Sequence, residues 1–213
     1  MNKIVLENID KQFGARKIFR NLNMQIDENE FVCIVGESGS GKSTLLNIMG
    51  LLEKPTSGNV EICGIKNPKL NSRIGVQLLR KEISYLFQNY GLVESETVKY
   101  NVKIVTRFLN TSKKKREEKT EEILEKLGLL GLINEKIYCL SGGEQQRVAL
   151  AKIMIKPSSI ILADEPTGSL DVGNRDLVMK ILKEINLQGK TIVLVTHDKE
   201  ITKYATRIIE ITK

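Results

Sequence analysis

The stretch GESGSGKST, Gly36 to Thr44, decides the fold of this chain. It fits the pattern G-x-x-x-x-G-K-[ST], with Gly36, Gly41, Lys42 and Ser43 at the four fixed places. Such a loop turns its backbone N–H groups inward onto one polyphosphate. Gly39 and Gly41 permit backbone angles and a close approach that a side chain would block. Lys42 sets a point charge against the outer phosphates, and Ser43 offers a hydroxyl to Mg²⁺. Taken whole, the loop predicts phosphate contacts from Gly36, Ser38, Gly39, Ser40, Gly41, Lys42, Ser43 and Thr44. Its flanks agree. FVCIV, Phe31 to Val35, is an apolar run of buried-strand length, and STLLNIMGLL spaces its apolar residues as a helix does. The phosphate would then sit on a helix N-terminus, where unpaired amides and the dipole favour negative charge. A plain glycine turn between strand and helix is the rival reading, and the strand-loop-helix context weighs against it.

Working outward, residues 3 to 31 alternate as strands, KIVLENI and KIFRNLNMQI, with a turn at Phe13-Gly14. PTSG leads into a further strand, NVEICG, which predicts a small antiparallel layer beside the phosphate loop. SRIGVQLLRK reads as a helix, and EISYLFQ, Glu82 to Gln88, as a strand ending on Gln88. From about 89 to 156 the periodicity is helical, and Glu122 and Lys126 are spaced to pair. Strands and helices alternate again afterwards: SSIILAD, DVGNRDLVMKILKEI, KTIVLVTH and ATRIIEI. That order implies an α/β fold with a mainly parallel sheet and ligands at the carboxyl ends of its strands.

Composition narrows the class. With 213 residues, 41% of them hydrophobic and 28% charged, the chain suits one soluble domain with its own core. No apolar run is long enough to cross a bilayer. The N-terminus reads without the apolar core and cleavage site of a signal peptide, and no fused regulatory domain is expected after the last strand. Three scattered cysteines, Cys33, Cys63 and Cys139, fit a reducing compartment better than a disulfide scaffold or zinc site. The net charge of +7 draws heavily on Lys113 to Arg116, which Glu117, Glu118, Glu121 and Glu122 follow at once. That is a solvated helix face, without the aromatics that a single-strand binder interleaves, so no nucleic-acid partner is expected.

Two more motifs carry chemistry. IILADE, Ile160 to Glu165, is an apolar strand ending in two carboxylates; downstream of a phosphate loop, Asp164 is the candidate for Mg²⁺ and Glu165 for the attacking water. LSGGEQQRV, Leu140 to Val148, contains a capping box, Ser141-x-x-Glu144, so a helix begins there. Capping alone does not account for two glycines in the first turn, which are costly in a helix. They leave amides open at the positive end of the dipole, a second anion site.

Together, the phosphate loop, LSGGEQQRV and ILADEPTGSLD resemble the ATP-binding subunit of ATP-binding cassette (ABC) transporters over essentially the whole chain. The resemblance implies a P-loop NTPase core with a helical subdomain at about 89–156, forming one nucleotide-binding domain over 1–213. It implies Mg²⁺-dependent hydrolysis of ATP to ADP and phosphate by two copies paired head to tail. Each ATP would lie between the phosphate loop of one copy and Ser141, Gly142, Gly143 and Glu144 of the other. By position, Phe13 would stack on adenine, Gln88 would touch Mg²⁺ and sense a membrane partner, and Ser169 and Asp171 would cross the interface. His197, the lone histidine, would steady the γ-phosphate, so the catalytic set is Lys42, Gln88, Glu165 and His197. Lys152 departs from the pattern, standing where relatives often carry arginine. DEPTGSLD resembles the macrolide-exporter and lipoprotein-releasing branch, and YLFQNYGLVESETVKYNV resembles bacteriocin (antimicrobial-peptide) export ATPases. The implied setting is the inner face of the cell membrane, through a separate permease docking near Gln88. A cassette driving a membrane regulator, or one acting on ribosomes or DNA, are the alternatives.

Overall fold

The computed structural model describes residues 1–168 and 170–211. Its centre is a five-stranded, wholly parallel sheet in the order β6-β7-β8-β3-β9, with β3 at Phe31–Val35, β6 at Ile83–Leu86 and β7 at Ile160–Asp164. Strands β8 and β9 cover Thr191–Thr196 and Arg207–Glu210. Strands β3, β7 and β8 read as nearly unbroken apolar runs because both of their faces are covered, whereas the edge strand β9 is largely exposed. Alternate residues supply two cores. Phe31, Cys33, Ile161, Ala163, Ile192 and Leu194 face a helical side, whereas Val32, Ile34, Ile160, Leu162, Val193 and Val195 face the other.

The second side is closed by α1 (Lys42–Met49) and an antiparallel sheet ordered β2-β1-β4-β5. There β1 is Asn2–Phe13, β2 Arg16–Asp27, β4 Ser57–Ile62 and β5 Ile65–Lys66. The sheet lays Ile4, Leu6, Ile9, Ile26 and Ile62 onto Leu45, Leu46 and Met49 of α1, as the alternating patterns predict. Helix α2 (Arg73–Lys81) is capped by Ser72, whose side chain accepts from Gly75 N.

The helical side holds α3 (Val98–Thr106), α4 (Lys113–Lys126), α5 (Gly142–Ile155) and α6 (Val172–Leu187), with single 3₁₀ turns at Leu130–Leu132 and Ile137–Cys139. Thr97, Ser112, Ser141 and Asp171 cap the four helices with their side chains. The expected Glu122–Lys126 pair is not made. Lys126 reaches instead to Glu184 of α6 at 2.7 Å, while Lys113–Glu117 and Lys114–Glu118 lie at 3.9 Å. A tertiary partner on a neighbouring helix wins over a weak solvated pair. Strand β6 also stops at Leu86, so Gln88 belongs to the turn that follows, in which Tyr90 N donates to Phe87 O at 2.9 Å. Fully buried Asn101 fastens the chain beyond that turn: its Oδ1 accepts from Val93 N at 2.8 Å and its Nδ2 donates to Val93 O at 3.1 Å.

Two lysines are half-buried near the end of α5. Lys190 Nζ donates to Lys156 O at 3.2 Å and to Ile153 O at 3.4 Å, satisfying last-turn carbonyls. Lys156 Nζ donates to Leu79 O at 2.7 Å and to Ile83 O. Burial pushes both ammonium groups down to about 8. An unfolded chain keeps those protons to about 10.4, so between these values it binds more protons than the fold, and these groups make stability rise with pH. Cys33, pushed up to about 12 by burial, acts in the opposite sense, so the contrast is drawn against Lys190→Met. The unfolding free energy of the parent minus that of Lys190→Met is expected to increase from pH 8 to pH 10 in urea titrations. A flat or falling difference would contradict the buried ammonium.

Candidate active site

Strand β3 delivers the chain to the carboxyl edge of the parallel sheet, and the next residues wrap around the start of α1. Glycine is required at two of them. At Gly36 a Cβ would lie 2.5 Å from Ile211 O, and Gly41 has φ +96° with its Cβ position 2.5 Å from Ile18 Cγ2. Lys42 is only 7% exposed and folds back over the loop, its Nζ donating to Gly36 O at 2.8 Å and Glu37 O at 2.9 Å. Among the described residues no carboxylate forms an ion pair with it. A buried cation bonded only to neutral carbonyls is a strong attractor for an anion. Ser40 adds a buried hydroxyl without a partner in the same loop.

The carboxylates come from β7. Ser43 Oγ donates to Asp164 Oδ1 at 2.9 Å, and burial pushes the Asp164 carboxyl above its ordinary value, with the Ser43 bond opposing. Glu165 turns the chain sharply, at φ +45°, while its N–H donates to Val195 O at 3.0 Å. Its carboxylate is held on both oxygens. Oε1 lies 2.8 Å from His197 Nδ1, and Oε2 accepts from Thr196 Oγ1 at 3.2 Å. A left-handed non-glycine residue at the end of a strand is backbone strain of the kind that collects at functional sites.

These groups surround one cavity of about 460 Å³, lined by Phe13, Arg16, Ile18, Ser38, Gly39, Gly41, Lys42, Ser43, Thr44, Gln88, Glu165 and His197. Ten of the residues named from sequence thus meet here, and Asp164 adjoins them through Ser43. Phe13 stands at the end of β1, 48% exposed, with Lys11 Nζ 4.3 Å from its ring centroid. Arg16, Ile18 and Thr196 escaped the sequence reading. Arg16 and Ile18 carry no motif and reach the loop only because β2 runs past it, where Arg16 Nη2 donates to Gly39 O at 3.4 Å. Thr196 had a faint signal as the polar residue between an apolar strand and His197.

The capping box at Ser141 is built as predicted and lies away from the cavity. Ser141 Oγ accepts from Glu144 N at 3.4 Å and donates to Glu144 Oε2 at 2.6 Å, while Ser141 N donates to the same carboxylate at 2.8 Å. Those bonds hold the Glu144 carboxyl below its usual range. Ser141, Gly142, Gly143 and Glu144 do not line the cavity. Asp171 is absent from it too, its Oδ1 accepting from Asn174 N at 2.9 Å as the cap of α6. Ser169 lies outside the described residues. One chain therefore presents the two sites apart.

A family model described as ABC transporter matches residues 19–168. The chain belongs to the ABC transporter family. Among curated relatives, the macrolide export ATP-binding/permease protein MacB of Campylobacter jejuni serotype O:2 is 41% identical over 208 residues, 98% of this chain and 32% of that protein. MacB of Neisseria meningitidis serogroup B is 38% identical, over 99% of this chain and 33% of that one. The ABC cassette thus spans about a third of the length of the curated relatives it matches. Among solved structures, the ATP-binding cassette MJ0796, in a dimeric post-hydrolysis state bound to ADP and Pi, superposes with a TM-score of 0.88. It is 38% identical, and the match covers 98% of this chain and 94% of that one. The cassette cbiO1 from Clostridium perfringens, part of the ABC transporter complex cbiONQ, gives a TM-score of 0.86 at 27% identity, over 99% and 85% of the two chains.

As a member of this family the chain is an ABC-type ATPase, and the family binds ATP with Mg²⁺. The residues present fit both. The uncompensated Lys42, the orphaned Ser40 hydroxyl and the glycine cradle suit a polyphosphate. No group of three or more His, Cys, Asp or Glu capable of holding a metal alone occurs among the described residues. The Ser43–Asp164 pair instead brings together two oxygen donors, a sparse set of the kind that would suit Mg²⁺. Replacing Gly41 by alanine is expected to lower stability by about 1–3 kcal/mol from the φ angle alone, and to displace Ile18 of the cavity wall and Phe19 of the core behind it. Urea unfolding checks it; a variant within about 0.5 kcal/mol of the parent would show that the loop relaxes freely.

Proposed function

We propose that the chain is the nucleotide-binding subunit of an ABC exporter and hydrolyses ATP in a sandwich of two copies. The observation that carries this reading is the single cavity in which Lys42, Ser43, Gln88, Glu165 and His197 face one another while the Ser141 helix start lies away from it. A site complete in one chain would have no use for that second, separated anion cradle. Lys42 and the loop amides hold the phosphates, and Phe13 stacks on the base. Ser43, Asp164 and Gln88 would hold Mg²⁺, which would supply charge neutralisation to the transferring phosphoryl group. Glu165, fixed by His197 and Thr196 at 2.8 and 3.2 Å, orients the attacking water and takes its proton. His197 steadies the γ-phosphate. Ser141, Gly142, Gly143 and Glu144 of the second copy close the site, with Ser169 and Asp171 crossing the interface.

In this reading residues 1–213 form one nucleotide-binding domain, with about 89–156 as the helical subdomain that meets a membrane permease. Exposed Val93 and Tyr100, on the chain that follows Gln88, support docking there. No helix among the described residues is long and apolar enough to cross a membrane, which agrees with a subunit held at the inner face by its partner. The named function of the MacB relatives supports export, and YLFQNYGLVESETVKYNV favours an antimicrobial peptide as the cargo.

Glu165→Gln is expected to keep nucleotide binding, to lower turnover about 10²- to 10⁴-fold, and to trap a dimer on size-exclusion chromatography with ATP. Turnover at the parental rate removes Glu165 from the mechanism. Mixing Lys42→Ala with Ser141→Arg chains is expected to restore one composite site of the two and a matching part of the activity. Full activity of either variant alone sinks the shared-site arrangement.

A further inference from the structure

We propose that Arg175 is a positioning residue for hydrolysis, acting on Glu165 through the loop that carries Thr196 and His197. The proposal rests on the reading of Glu165 given above and adds what keeps that carboxylate in place. His197 is an exposed side chain at the end of β8, and its described bond is the one to Glu165. Thr196 is buried at 1% exposure. Its hydroxyl accepts from Asp198 N at 3.0 Å, which turns its only proton toward Glu165 Oε2. Both restraints on Glu165 therefore depend on where residues 196–198 lie.

Arg175, in the first turn of α6, sets that position. Its Nη1 donates to Asp198 Oδ2 at 3.3 Å and its Nη2 pairs with Glu200 Oε2 at 2.8 Å. Asp198 Oδ1 accepts from Glu200 N at 2.8 Å, so the two acidic residues form a rigid turn under one guanidinium. The planar fork of arginine suits two carboxylates at once, which an ammonium cannot match. Arg175 and Asp198 are largely shielded, with 21% and 28% of their side-chain surfaces exposed. The neighbouring residue, Asn174, accepts from Arg147 Nη1 of α5 at 3.2 Å and packs against Gly143. One turn of α6 thus touches both the helix start that caps the partner's nucleotide and the loop that orients Glu165.

The test compares ATP turnover and nucleotide binding of the 213-residue chain with Arg175→Met, Arg175→Lys, Asp198→Asn and the Arg175→Met/Asp198→Asn pair. Arg175→Met is expected to lower kcat about 10- to 100-fold, with KM for ATP within about twofold of the parent. Arg175→Lys should recover part of the loss, and the double variant should be no worse than the poorer single one. Unchanged kcat in Arg175→Met, a KM that rises in step with the loss, or losses that multiply in the double variant would each overturn the proposal. Should Arg175→Met fail to fold, Asp198→Asn removes the same contact from its other side and must show the same split between kcat and KM. A parent that hydrolyses no ATP brings down the ATPase reading and this proposal together; an active parent matched by its variants brings down the proposal alone.

Discussion

The hydrogen bond from Ser43 Oγ to Asp164 Oδ1, 2.9 Å long, joins the start of α1, which follows β3, to the end of β7, a strand that β3 does not pair with. Strand β8 lies between β3 and β7, so the phosphate loop, the carboxylates and the Thr196–His197 end of β8 meet only where all three strands end on the same edge of a parallel sheet. Reversing β8 would carry Thr196 and His197 to the far side. The site is therefore a consequence of strand direction, and strand direction follows from the helices that return the chain between strands.

Electrostatics explains why the cavity remains primed. Lys42 is bonded to carbonyls alone, and the Asp164 carboxyl is destabilised by burial. Neither charge neutralises the other directly. A triphosphate with its metal would bring opposite charge to both groups, and binding to the folded state alone would add to its stability. The same logic does not hold at Glu165, whose oxygens are already engaged by Thr196 and His197. Its role calls for fixed orientation rather than an open coordination position.

The turn bearing Gln88 is held from two sides. Asn101 of α3 grips the chain at Val93, and Lys152 of α5 donates to Gly91 O at 2.7 Å. Lys152 pays a desolvation cost there, seen in its lowered pKa. Its single bond suits a carbonyl, which explains why lysine serves where arginine's fork would have no second acceptor. Helix α5 begins at the Ser141 cradle, so a shift of that helix acts directly on the Gln88 turn.

Most of the architecture was legible because each signal was local. The glycine loop, the capping box at Ser141–Glu144 and the apolar strands Phe31–Val35 and Ile160–Asp164 state their own conformations through φ requirements, capping and two-faced burial. What failed locally did so for a tertiary reason: Lys126 left its helical neighbour for Glu184, and β6 ended before Gln88 could join it. Arg16, Ile18 and Thr196 were invisible for a similar cause, since each earns its place through a partner distant in the chain. Sequence by itself determined which residues are proposed to carry phosphate chemistry, because that chemistry needs particular side chains at short, fixed spacing. Tertiary structure alone decided which of them share a cavity, because strand order and direction are set by burial across the whole chain. By that rule Ser141 lies apart from Lys42, although both motifs read equally plainly.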